Sequence, residues 1–255
     1  MTDDPSRDFA NRAFPQVLKD PDNLREFLES AIPELAKGFD CSRAKLLERE
    51  FILPDWRGRE ADLLFEIPYR IGNTELIALV CLLLEHQTRA DSLMPIRTLV
   101  YTVLYWDRCL RTWVADKDEA KGRFFLPPVV PIVLHSGQRP WGSAKTLAEL
   151  LGEPAVFHQY APIWEPIFWE LSDHSVEELL NSDALLFQAL SVVRVEEAGR
   201  EEFGQAFKAA LKRISEKGTP GSVRWSDLVR FVLGWPQTAD RRKTARRSKQ
   251  WRKRP

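Results

Sequence analysis

Cysteine is scarce: three residues in 255, Cys41, Cys81 and Cys109, widely spaced and never in a CxxC pair. An odd, scattered set excludes a disulfide framework and a structural zinc site, and leaves buried thiols as the expectation. Histidine is nearly as rare. His86, His135, His158 and His174 form no HExxH or comparable spacing, so a histidine-built zinc centre is disfavoured and any metal is expected on oxygen ligands. Long apolar runs are also missing. The longest covers residues 76–84, nine in all, against the roughly 20 that a membrane-spanning helix needs. The first residues, with Asp3, Asp4 and Pro5, lack the basic start and apolar stretch of a secretory signal. The expected compartment is therefore the cytoplasm, with no membrane partner.

What is present is the composition of a folded globule, 44% hydrophobic and 29% charged, with length enough for one sizeable domain or for a domain plus a helical extension. The formal net charge of zero conceals an asymmetry. Nine of the 37 basic residues fall between Arg241 and Arg254 with no acid among them, leaving 28 basic against 37 acidic residues elsewhere. A mildly acidic body thus carries a basic tail suited to a polyanion. In that tail Arg241, Arg242, Lys243, Arg246, Arg247 and Lys249 are candidate phosphate contacts, and Trp251 can stack on an exposed base. An unstructured solubility tail accounts for the same composition.

Along the chain, Leu24, Phe27, Leu28 and Ile32 recur at helical spacing over residues 23–36, with Pro33 bending or ending the helix. A strand is expected over 46–53, and then a hairpin, 61–71 and 74–87, about Gly72-Asn73. The return strand is apolar on both faces, as a central strand covered by helices on either side would be. Residues 93–114 carry Leu99, Val103, Trp106 and Leu110 at helical spacing and are expected to cover one face of the sheet. Pro127-Pro128 launches a further apolar strand over 129–134, closed by Gly137. Beyond it lie a short helix near 146–151, an aromatic stretch over 157–171 broken by Pro162 and Pro166, and helical segments to about Gly234.

Alternation along strands puts Glu85 and Gln87 on one face and Glu60 with Asp62 on one face of the partner strand. With the turn at Gly72-Asn73, opposed positions sum to 145, setting Glu60 against Glu85 and Asp62 one diagonal step away, about 7–8 Å at the backbone. Glu85 closes nine apolar residues, and a nearly buried carboxylate needs a partner. A divalent cation such as Mg²⁺ or Mn²⁺ is one that neutralises two acids at once. An ion pair with Arg57, Arg59 or Arg89 is the alternative that needs no chemistry. Arg97, early in the following helix, either meets a phosphate or pairs with an acid at this corner.

The order helix, strand, Asp-bearing strand, E-x-Q-bearing strand, helix, strand resembles the PD-(D/E)XK nuclease superfamily. More narrowly it resembles the bacterial recombination-promoting nuclease, or transposase-like, Rpn family. Residues 22–33 are similar to that family's "FL…LP" helix, and Leu83-Leu84-Glu85-His86-Gln87-Thr88 to its "LLEHQS" strand. Met94-Pro95-Ile96-Arg97 with Tyr101, and the 126–134 strand with Gly137 and Trp141, resemble its "MPxR…Y" and "LPPVIPIVLYHG…PW" segments. The likeness covers roughly residues 8 to 142. Two places depart from it: the opening H-D-x-x-F-K motif falls on Ala10-Asn11-Arg12-Ala13-Phe14-Pro15, and the YHG segment reads His135-Ser136-Gly137.

The resemblance implies an α/β fold with a restriction-endonuclease-like core, a mixed central sheet flanked by helices, over residues 1–171. A mainly helical extension over 172–236 and a basic, disordered tail over 237–255 would complete the chain. It implies a DNA endonuclease, linked to recombination or a mobile element, in which Asp62 and Glu85 bind Mg²⁺ or Mn²⁺. Gln87 would occupy the usual lysine position, able to orient a water or phosphate oxygen but not to supply positive charge. DNA is the expected partner, with a homodimer as a further expectation. The missing opening motif supports the alternative of a nuclease-fold DNA-binding or interaction protein that has lost turnover. A weaker third alternative is a regulator acting through the C-terminal helices.

Overall fold

The computed structural model describes residues 5–47, 63–85, 90–116 and 122–235, apart from the side chains at 5–8, 11 and 83–85. Three helices open the chain: α1 (Pro5–Leu18), α2 (Pro21–Ala31) and α3 (Pro33–Ala36). Asp20 caps α2, its Oδ1 accepting from the N–H groups of Asp22 (3.0 Å) and Asn23 (3.1 Å), and thereby satisfies two of the orphan donors of the first turn. Pro33 separates α2 from α3, as its fixed φ and missing N–H require.

Five strands form one sheet in the order β1-β2-β3-β4-β5, where β1 is Lys45–Leu46, β2 Leu63–Ile71, β3 Thr74–Glu85, β4 Val129–His135 and β5 Ile167–Glu170. The β1-β2-β3 part is antiparallel and the β3-β4-β5 part parallel, so the fold is α/β with a mixed sheet. The β2–β3 hairpin turns at Gly72, whose φ of +56° is the left-handed conformation that glycine tolerates best. Its register runs from Ile71↔Thr74 to Leu63↔Leu82, every pair obeying the expected sum. Pro68 sits inside β2 without breaking that ladder. Its carbonyl accepts from Asp40 N–H on the outer side of the strand (2.9 Å), so its missing N–H also faces away from β3.

β3 is the middle strand and both its faces are buried. Ala78, Val80 and Leu82 join a large core with α1, α2 and the C-terminal helices. Leu79 and Cys81 join a smaller one beneath α4 (Met94–Ala115) with Tyr101, Tyr105, Val133 and Trp141. Helix α4 covers the expected face, but with a different stripe. Met94, Thr98, Tyr101, Thr102 and Tyr105 are buried, whereas Val103 and Leu110 are 50% and 42% exposed. The threonines are accommodated because Thr98 Oγ1 donates to the Pro95 carbonyl and Thr102 Oγ1 to that of Thr98, both at 2.9 Å. Cys41 and Cys81 are buried free thiols, and burial pushes the Cys41 thiol up to about 11.

After β5 come α5 (Val176–Asn181), α6 (Leu185–Arg194), α7 (Arg200–Lys217) and a last helix, α8, over 223–235. They pack on the face of the sheet that carries α1 and α2, in the same core. Of the strand expected over 46–53, only the start at Leu46 is seen; residues 48–62, Asp62 among them, lie outside the described residues. Among the described residues no helix is long and apolar enough to cross a membrane.

Candidate active site at the strand ends

Because β3, β4 and β5 run parallel, their C-terminal ends meet at one edge of the sheet. The register there is Glu85↔His135 and His135↔Glu170. Three neighbouring strands, each an apolar run, therefore finish on an ionisable residue in a single row. The carboxyl ends of parallel strands are where open α/β sheets place their ligands, since loops rather than further sheet cover them.

His135 and Glu170 are almost wholly buried, at 2% and 5% exposure, on the face that α4 covers. His135 meets Trp141 edge-on, ring centroids 5.2 Å apart, and its Nδ1 lies 3.8 Å from Glu170 Oε2. Glu170 is well supplied with donors. Its Oε2 accepts from the Trp141 backbone N–H and its Oε1 from Lys145 Nζ, both at 2.6 Å. Burial by itself raises the Glu170 carboxyl, but the Lys145 ammonium, the Trp141 N–H and His135 outweigh it and hold the group below the usual carboxylate range. Glu170 is thus a charged, partnered carboxylate.

The loop from Ser136 to Lys145 is a strap across these strand ends. Trp141 packs on Phe168 of β5 at 5.0 Å and donates its Nε1–H to the Ala144 carbonyl (3.2 Å). Lys145 Nζ stands 5.5 Å over the Phe168 ring. Next to the strap, Trp164 Nε1 donates to Thr98 Oγ1 at 2.8 Å, which ties the aromatic segment before β5 to the start of α4.

Of the residues singled out from the sequence, Glu85 ends β3 with its backbone in the row. Asp62, Gln87 and the tail residues Arg241, Arg242, Lys243, Arg246, Arg247, Lys249 and Trp251 lie outside the described residues. Arg97 is buried at 3% exposure, with its guanidinium 3.5 Å from Asp91 and 3.3 Å from the Met94 sulfur. The acid it meets is Asp91. Trp169 is core, against Phe27 at 5.6 Å. The segment aligned with the missing opening motif lies on α1, across the sheet, where Ala10 and Phe14 are buried in the larger core.

His135, Glu170 and Lys145 were not singled out as site residues, although a signal for two of them was present. Val-Val-Pro-Ile-Val-Leu-His and Ile-Phe-Trp-Glu close apolar strands on a polar residue, as the run before Glu85 does. Among the described residues no three His, Cys, Asp or Glu side chains form a ready cation cage, and Glu170 is already engaged. A cavity of about 370 Å³ between α1 and α8, lined by Phe9, Arg12, Gln16, Asp227, Arg230 and Phe231 among others, lies away from this edge.

The profile of the YhgA-like putative transposase family matches residues 10–219 of the chain. The chain belongs to that family. Over 137 residues it is 31% identical to the recombination-promoting nuclease RpnC of Escherichia coli strain K12, covering 53% of this chain and 41% of that protein. Over 132 residues it is 28% identical to the recombination-promoting nuclease RpnD of Escherichia coli O157:H7, covering 50% and 46% respectively. The chain thus spans less than half the length of either relative. No solved structure matches it. Family membership extends past β5 into α7, so the helical region that shares the sheet's core falls within the family match.

Proposed function

We propose that the chain is a metal-dependent DNA endonuclease that hydrolyses phosphodiester bonds during recombination or the movement of a mobile element. The observation that carries this reading is the position of Glu85 at the end of the buried central strand. It lies in a hairpin whose register holds over all its described pairs. The names of the two relatives support the same reaction class.

In this reading Asp62 and Glu85 hold Mg²⁺ or Mn²⁺, which supplies an activated water and neutralises charge developing on the phosphoryl group. Gln87 orients the water or a phosphate oxygen by hydrogen bonding, being neutral and able both to donate and to accept. The tail residues from Arg241 to Trp251 grip the DNA backbone through phosphate contacts, which carry no sequence information directly. Arg97 supports the corner through Asp91.

A second reading, a nuclease-fold protein that binds DNA without cutting it, is favoured by one observation. The His, Asp and Lys positions of the family's opening motif hold Ala10, Asn11 and Pro15 here, and Ala10 is packed into the core. Incubating the purified protein with supercoiled plasmid and Mg²⁺, Mn²⁺ or EDTA separates the two. The endonuclease nicks or linearises plasmid only with the metal. A well-folded protein that retains DNA on a native gel yet leaves it uncut is the second.

A further inference from the structure

The acidic edge proposed for catalysis has no cation at the Gln87 position, yet a phosphodiester must approach it. We propose that Lys145 is the phosphate-binding cation of this site, carried to the strand ends by the 136–145 strap and held there by Glu170. This inference rests on the nuclease reading for its chemistry, but on the row of residues for its location.

Three observations converge. Positions 85, 135 and 170 occupy one row of adjacent parallel strands, and strands lie about 4.8 Å apart, which puts positions 85 and 170 roughly 10 Å apart at the backbone. Lys145 Nζ sits 2.6 Å from Glu170 Oε1, on the strand two places along that row from β3. The two partners also differ in exposure: Glu170 is 5% exposed, whereas the Lys145 side chain is 44% exposed. A lysine lays its stem along the protein and keeps water access for its charged end. The Lys145 side chain is thus within reach of a ligand at the surface while its partner is not.

An ammonium has three donors, and the contacts among the described residues use one of them, on Glu170. The others are available to phosphate oxygens. Glu170 fixes the direction of the lysine, and the Trp141 N–H supplies a second donor to the carboxylate, so Lys145 can be shared with a phosphate without leaving Glu170 bare. The Phe168 ring beneath the ammonium narrows its rotamers. The charge that Gln87 cannot provide thus comes from another loop.

The test uses the full-length chain and two readouts. One is affinity for a short DNA duplex in EDTA as a function of salt; the other is the single-turnover cleavage rate at saturating DNA with Mg²⁺. Lys145→Met is expected to lower the slope of log affinity against log salt by about one and the cleavage rate on the order of 10²-fold. Lys145→Arg should restore the slope. If Lys145→Met fails to fold because Glu170 is left unpaired, Lys145→Met with Glu170→Met removes both charges, and the slope should again fall by about one. An unchanged slope and rate in the folded variant assigns Lys145 a purely structural role and overturns the proposal. If the natural chain cuts no DNA, the nuclease reading fails on its own, and the slope alone decides: a drop of about one keeps Lys145 as a phosphate contact, and no drop overturns it.

Discussion

Glu170 holds a negative charge where only 5% of the residue meets solvent, and its partners keep it ionised. Because its folded-state pKa is depressed, the unfolded chain binds more protons at acidic pH. The stability this carboxylate contributes is complete above the unfolded value, about 4.3, and is lost as pH falls through the folded one. Glu170→Gln should therefore cost about 1–2 kcal/mol at neutral pH, the worth of charge-assisted hydrogen bonds. The gap from the natural chain should close below about pH 4. Thermal melts of both proteins across that range check it; a gap that persists into acid would assign the loss to shape rather than charge. This residue illustrates what the sequence concealed. A Glu closing only three apolar residues after Pro166 carries a much fainter signal than Glu85, and its partners Trp141 and Lys145 come from a loop whose path depends on tertiary contacts. The strand end at Glu85 was legible because it follows nine apolar residues, the pattern of a strand buried on both faces.

Among the elements, the β2–β3 hairpin was the most readable, since Gly72-Asn73 dictates both the turn and the register. Gly72 has φ +56° and nothing within 4 Å of an added Cβ, so substitution there meets only a conformational cost. Gly72→Ala should destabilise by about 1 kcal/mol and Gly72→Asn by less, since Asn visits the left-handed region more readily. Urea denaturation measures both; equal losses would contradict the argument. Helix α4 was less readable in detail. Its length and its place on the sheet followed from periodicity, but Val103 and Leu110 lie outward while Thr98, Thr102 and two tyrosines are buried. A purely apolar stripe cannot anticipate that choice, because threonine hydroxyls can be satisfied by their own helix's carbonyls. Strand β5 was hidden by its brevity and by the prolines on its approach.

At the scale of the molecule, the larger core joins α1, α2, the sheet and the C-terminal helices into one body. Arg224, at the start of α8, fastens this arrangement. Its Nε donates to Asn23 Oδ1 at 2.8 Å and an Nη donates to Glu26 Oε1 at 2.5 Å, with Asp20 and Asp22 at 3.6 and 3.7 Å. Glu26 in turn accepts the Leu186 N–H of α6 at 3.0 Å. Arg224→Met should cost about 2 kcal/mol, since it leaves half-buried acids on α2 without their partner. Unfolding should remain one transition, followed coincidentally by tryptophan fluorescence and far-UV circular dichroism. Separate transitions would mean that the helical region unfolds apart from the sheet. The sequence marked this region only as helical to about Gly234 and did not indicate its partners, because contacts across some 200 residues leave no trace in local spacing.

The central claim is that the carboxylate at the end of β3 serves a metal-dependent cut in DNA, and its most direct test is the plasmid-nicking rate of Glu85→Gln and Asp62→Ala beside the natural chain. With melting temperatures confirming that both variants fold, the account predicts that the Mg²⁺- or Mn²⁺-dependent rate falls by at least about 10²-fold in each. Nicking that persists undiminished in either variant, or that proceeds in EDTA, would contradict it.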